Sequence, residues 1–293
     1  PDSFHLVHAG GRIGMHLADL LCGRRAPVEV LPRSNSMASL ICQALGGEGK
    51  QKIGQAFRQL VTQGIRQLPS GERLRVIEIG RFMPSYADDF LAAMEPRYCD
   101  LVFVATGAEL QDELPLLQER YPLLDIRTLP ETGLSGAAPP VGQMVVLTLD
   151  FSTLDEANAA LQYARTSLMP GGALVIVGLH PSRWVDFLFG GQAAHWNFAG
   201  DGRHRSRQCS AHLWIQQVQQ HQFGQVSLLE LSPDTLSGPF MLLAQPAENH
   251  RPPLQRPAHP GPRSWLLLAW FRKRDSQQKD LPKPLLVIPC LRA

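Results

Sequence analysis

Between residues 73 and 178, short apolar runs alternate with stretches whose apolar residues recur about every 3.6 positions. Leu74–Ile79, Leu101–Ala105, Leu123–Thr128, Met144–Leu149 and Ala173–Gly178 predict buried strands, with helices over Ala87–Met94, Glu109–Glu119 and Leu154–Leu168. Strands without a polar face, separated by helices, imply right-handed βαβ units and a parallel sheet covered on both sides. The rhythm then changes. Ala211–His221 predicts a helix, and Gln225–Leu231 and Phe240–Gln245 predict two strands joined by a short loop, an antiparallel hairpin closing one edge of the sheet.

On either side of this core the pattern differs. Residues 1–72 read as a helical subdomain, with Met15–Cys22, Ser36–Leu45 and Ile53–Leu68 as helices and Pro69-Ser70-Gly71 as the stop. The α/β core is expected over 73–246. Residues 247–263 are rich in proline and form a semi-rigid linker. Beyond it, Ser264–Phe271 and Leu285–Pro289 are strand candidates separated by the charged stretch Arg272–Asp280. They are expected to pair with each other, to dock on the core, or to belong to a neighbouring domain. The opening Pro1 and the strand-like ending suggest a piece of something longer.

Composition narrows the function classes. With 44% apolar and 18% charged residues and a net charge of +2, the chain can build a core and has no basic face for nucleic acid. No apolar run reaches the roughly 18 residues that span a bilayer. The five cysteines form no metal-type spacing and read as reduced thiols of a cytoplasmic protein. His204, Cys209 and His212 fit no familiar tetrahedral set, so no metal is expected. Asp88, Asp89, Asp112 and Glu113 read as solvated helix faces.

In an open parallel sheet, ligands bind at the carboxyl ends of the strands, and a nucleoside needs a glycine-rich turn after the first strand. The turn here reads Gly80-Arg81-Phe82-Met83-Pro84-Ser85, so bulky groups are expected to fill the space of the ligand. The segment Pro181-Ser182-Arg183-Trp184-Val185-Asp186-Phe187-Leu188-Phe189-Gly190, continuing to Trp196-Asn197-Phe198, is the most specific on the chain. Weaker signals are Gly10-Gly11, Leu21–Leu31, Leu124-Asp125-Ile126 and Leu168-Met169-Pro170-Gly171-Gly172. Together they resemble the C-methyltransferase domains of modular polyketide synthases over roughly residues 8–246. The resemblance implies a Rossmann-like class I S-adenosylmethionine (SAM) methyltransferase fold. That fold is α/β, with a mostly parallel seven-stranded sheet, an antiparallel last strand and an N-terminal helical lid.

The family's functional positions can be carried over singly. Its Glu-x-Gly-x-Gly-x-Gly is similar to Glu78 and Gly80 here, with Phe82 and Pro84 in the place of glycines. Its ribose-binding acid after the second strand is matched by Thr106, with no carboxylate before Glu109; Asp125, near the adenine in the family, is retained. Its catalytic histidine is matched by Ser152 and its catalytic glutamate by Gly178. His180, two residues further on, reads as a loop histidine rather than a substitute base. Trp184, Phe187, Phe189 and Trp196 read as packing a subdomain over the sheet.

These departures predict a catalytically inactive pseudo-methyltransferase. The expectation is no enzyme, no SAM binding, and a spacing role between flanking domains of a polyketide synthase. The alternatives are an active SAM-dependent C-methyltransferase acting on an acyl-carrier-bound β-ketoacyl thioester, and a non-catalytic module that docks the acyl carrier protein.

Overall fold

The computed structural model describes residues 4–30, 46–80, 99–106, 114–128, 139–149, 151, 153–196, 206–231 and 238–247. The helix readings over Ser36–Leu45 and Ala87–Met94, nearly all of the proline-rich linker and the two late strand candidates lie outside these residues.

The strands are β1 (Leu74–Gly80), β2 (Cys99–Ala105), β3 (Leu124–Thr128), β4 (Gly142–Thr148), β5 (Leu168–Leu179), β6 (Phe223–Glu230) and β7 (Pro239–Pro246). They form one sheet in the order β3-β2-β1-β4-β5-β7-β6. β1 to β5 pair in parallel, and β7 runs antiparallel to both β5 and β6. This is the class I SAM methyltransferase architecture expected from the sequence. The hairpin has an added feature: β7 inserts between β5 and β6, so β6 is the outermost strand.

Alternation along the strands feeds two cores. On one face Val76, Phe103, Val146 and Val175 pack with Ile53, Phe57 and Val61 of α3 (Gly46–Gln67) and Leu117 of α4 (Leu114–Arg120). On the other, Ile77, Val104, Leu147, Ile176 and Phe240 meet α5 (Leu154–Ser167) and Trp214 and Val218 of α8 (Ala211–Gln220). Thr153 caps α5 by accepting from the Glu156 amide at 3.2 Å, and Asp155 and Glu156 favour the positive end of that helix. Four central strands buried on both faces explain why they read as unbroken apolar runs.

A third cluster joins the N-terminal α1 (Phe4–Leu21) and α2 (Pro27–Val30) to α6 (Arg183–Phe189): Ala9, Ile13, Val30, Val185, Leu188 and Phe189. α1 is longer than the Met15–Cys22 expected. The added turns include Gly10, where a Cβ would come within 2.7 Å of the Trp184 ring. That glycine lets the helix sit against Trp184.

Candidate functional site

The carboxyl ends of the parallel strands lie along one edge of the sheet. Gly80 is in register with Ala105, and Ala105 with Thr128. Thr106, the first residue beyond β2, donates its amide to the Gly80 carbonyl at 2.9 Å and its hydroxyl to the same oxygen at 3.3 Å. The ends of β1 and β2 are thereby tied. Glu78 is fully buried two residues before the edge.

Asp125 sits elsewhere. It is in register with Val102, three residues before the end of β3, and its exposed carboxylate accepts from Arg127 Nε at 3.0 Å and Nη2 at 2.9 Å. Three residues of strand amount to about 10 Å. Asp125 is therefore not gathered with Gly80 and Thr106. Phe82, Pro84 and Ser152 lie outside the described residues, so the expected filling of the turn has no counterpart among them.

Gly178 occupies the penultimate position of β5. A Cβ there would overlap the Phe240 ring and approach Leu149 Cδ1 to 2.7 Å. The missing side chain is replaced by the packed ring of a neighbouring strand.

His180 follows β5 immediately. Its amide donates to the Gly238 carbonyl at 3.0 Å, its ring lies 4.8 Å from that of Phe240, and the residue is 3% exposed. Nε2 stands 3.0 Å from Oε2 and 3.3 Å from Oε1 of Glu230, the last residue of β6. His180 lies just beyond the strand end, as the sequence reading has it, and its ring is paired. It is half of a largely buried imidazole–carboxylate pair at the edge formed by the carboxyl ends of the strands. Glu230 escaped the sequence reading, although a carboxylate inside the apolar run Leu228-Leu229-Glu230-Leu231 was a visible anomaly.

A second polar cluster braces the segment beyond β5. Asp186 Oδ1 accepts from the Ser206 hydroxyl at 2.9 Å and lies 2.8 Å from Nε2 of His195, in α7 (Ala193–Trp196). Trp196 donates its indole N–H to the Gly190 carbonyl. Phe189 is buried, as a packing role requires, but Trp184 is 43% exposed and stacks on Phe187 at 5.6 Å.

Burial lowers the His195 pKa below its ordinary value, the facing Arg207 acts in the same direction, and the Asp186 contact opposes both. His221, which pairs with Asn158 at 3.1 Å, is lowered by burial as well. With native values below the unfolded value of about 6.5, the unfolded chain binds more protons as pH falls through that range. Stability is therefore full above about pH 6.5 and declines below it. The urea midpoint is expected to drop between neutral pH and about pH 5.5, and less steeply in His195→Gln. A midpoint flat over that range would contradict this.

Among the described residues no group of histidine, cysteine and carboxylate side chains could hold a metal ion, and no helix is long and apolar enough to cross a membrane. Burial pushes the Cys99 thiol up to about 11, which leaves it unreactive at the amino end of β2.

Two features of the described edge are compatible with a nucleoside ligand. Gly80 brings backbone without a side chain to the end of β1. The Thr106 hydroxyl spends its hydrogen on Gly80, leaving lone pairs to accept from a sugar hydroxyl.

No protein-family model matches the sequence, and no curated protein matches it either. Solved structures do. The chain is similar to the CurJ carbon methyltransferase (21% identity, TM-score 0.66, 84% of this chain and 68% of that one). It is similar to the citrinin polyketide synthase CMeT domain (18%, TM-score 0.58, 82% and 64%). It also resembles the trans-methyltransferase CalH in complex with S-adenosylhomocysteine (SAH) (20%, TM-score 0.59, 80% and 66%). The chain thus spans about two thirds of the length of each. At these identities the likeness establishes the methyltransferase fold.

Two expectations are corrected. The sequence pointed to a chain that is no enzyme and takes no cofactor. The fold is shared with methyltransferases, one of them solved with SAH.

Proposed function

We propose that this chain is a SAM-dependent C-methyltransferase acting on an acyl-carrier-bound β-ketoacyl thioester within a polyketide synthase. The observation that carries the reading is the match over 84% of the chain to a carbon methyltransferase, supported by the likeness to a polyketide synthase methyltransferase domain. The segment from Pro181 to Phe198, which drew the same comparison in the sequence, supports the substrate class.

SAM supplies an electrophilic methyl group on a sulfonium. Gly80 and Thr106 would hold its nucleoside, the first by close backbone approach and the second through its hydroxyl. The acceptor thioester would meet it over the ends of β4 and β5, the next strands along the edge. The Asp186–His195–Ser206 brace and the packing of α1 on α6 fix the segment that follows β5 and cover it. In this reading an acyl carrier protein delivers the substrate, and other domains of the same synthase adjoin the chain.

Incubation of the protein with SAM and a β-ketoacyl pantetheine thioester tests the reading. The thioester is expected to gain one methyl group on the carbon between its carbonyls. An unmodified thioester at full incubation contradicts it.

A further inference from the structure

Carbon methylation needs a group that takes a proton from the acceptor carbon, and the His180–Glu230 pair stands at the carboxyl ends of the strands. We propose that His180, held by Glu230, is the proton acceptor that activates the substrate carbon. The inference rests on the methyl-transfer reading and deepens it.

Three observations carry the assignment. First, location: β5 lies two strands from β1, with β4 between them, so His180 is offset from Gly80 by about 10 Å across the sheet. Ile79 is in register with Leu147, and Leu147 with Ile176, so His180 also stands beyond the level of Gly80, past the carboxyl ends where the acceptor must lie. Second, pairing: Nε2 faces a carboxylate at 3.0 Å, so the ring donates from Nε2 and leaves the Nδ1 lone pair to take a proton. The carboxylate then stabilises the imidazolium that results, as a third group orients the base in other catalytic sites. Third, rigidity: the His180 amide is bonded to Gly238, its ring packs on Phe240, and Glu230 ends a strand whose partner residue is Phe240. Both members of the pair are thus positioned by the insertion of β7 between β5 and β6.

The step balances without a further reagent. The C–H bond between the two carbonyls breaks, its electron pair stays on the substrate as an enolate, and its proton goes to His180. The enolate pair forms the new bond to the methyl carbon, and the sulfur–methyl pair leaves with sulfur as SAH. The imidazolium returns its proton to solvent before the next turn. Glu230 is a positioning residue, since it acts through the imidazole.

Proton abstraction can be read without the methyl donor. The full chain, free of SAM, is placed in deuterium oxide with a β-ketoacyl pantetheine thioester, and uptake of deuterium at the central carbon is followed by mass spectrometry against a protein-free control. The wild-type chain is expected to accelerate uptake. His180→Gln, which keeps a polar group of similar size, should lose about 10²–10⁴-fold of that acceleration. Glu230→Gln should lose a smaller part, with its urea midpoint and SAH affinity unchanged. Imidazole added to His180→Ala should restore part of the rate, which a merely structural histidine would not allow.

Uptake in His180→Gln equal to wild type, or no acceleration by wild type, overturns the assignment. SAH titration and methyl transfer by the wild-type chain report separately on the reading beneath it. A chain that transfers methyl while His180→Gln exchanges normally keeps its function and loses this base.

Discussion

Phe240→Ala is expected to lower the unfolding free energy by about 3–5 kcal/mol. Phe240 is fully buried and belongs to the core between the sheet and the α5–α8 layer. Its neighbours cannot close the gap easily, because its own strand is flanked by β5 and β6 on both sides. Gly178, opposite in register, has no side chain to move into the void. Since a domain is stable by only about 5–15 kcal/mol, the variant would lose a large share of its margin. The same change removes the ring under His180, so the imidazole should lose its fixed position as well. Urea unfolding checks the magnitude, and a loss below about 1 kcal/mol would show that this part of the core collapses freely.

Gly178→Glu, which introduces the acid that the sequence resemblance implies at this position, is expected to destabilise the fold. Its Cβ would overlap the Phe240 ring and stand 2.7 Å from Leu149 Cδ1. Overpacking a filled core costs about 1–3 kcal/mol, and a carboxylate forced against aromatic carbon adds a desolvation penalty. A total loss of roughly 2–5 kcal/mol follows from the two together. The two sites are coupled: Gly178→Ala should be better tolerated in a Phe240→Leu background than alone, a non-additivity that a double-mutant cycle measures. Equal costs in both backgrounds would mean that the Cβ finds another direction.

The pair of predictions shows why subtraction from a family pattern misled. Gly178 is empty of a side chain because Phe240 occupies the volume, and Phe240 lies sixty-two positions away in sequence number, on a strand inserted next to β5. Likewise His180 and Glu230 are 50 residues apart and meet only through the β5-β7-β6 order. Linear spacing carries no trace of such a meeting. The strands themselves were legible, because a parallel strand buried on both faces has no polar positions to interrupt its apolar run. β5 was read short, as Ala173–Gly178, where the unbroken apolar run begins. In the fold the chain is extended from Leu168, with Gly171 at a positive φ of 80°, and enters the sheet through a register shift against β4. α1 was read short as well, as Met15–Cys22, whereas the helix runs over Phe4–Leu21 with Gly10 accommodating Trp184. Asp125, which the resemblance placed near an adenine, lies three positions short of the end of β3 and pairs with Arg127.

The account holds that an edge built from Gly80, Thr106 and the His180–Glu230 pair carries out carbon methylation. The most direct test supplies the protein with SAM labelled in its methyl group and a β-ketoacyl pantetheine thioester, and locates the label by mass spectrometry. The account predicts label on the carbon between the two carbonyls, in step with SAH formation. Label found on oxygen, or none transferred by a folded chain that has been shown to be intact, would contradict it.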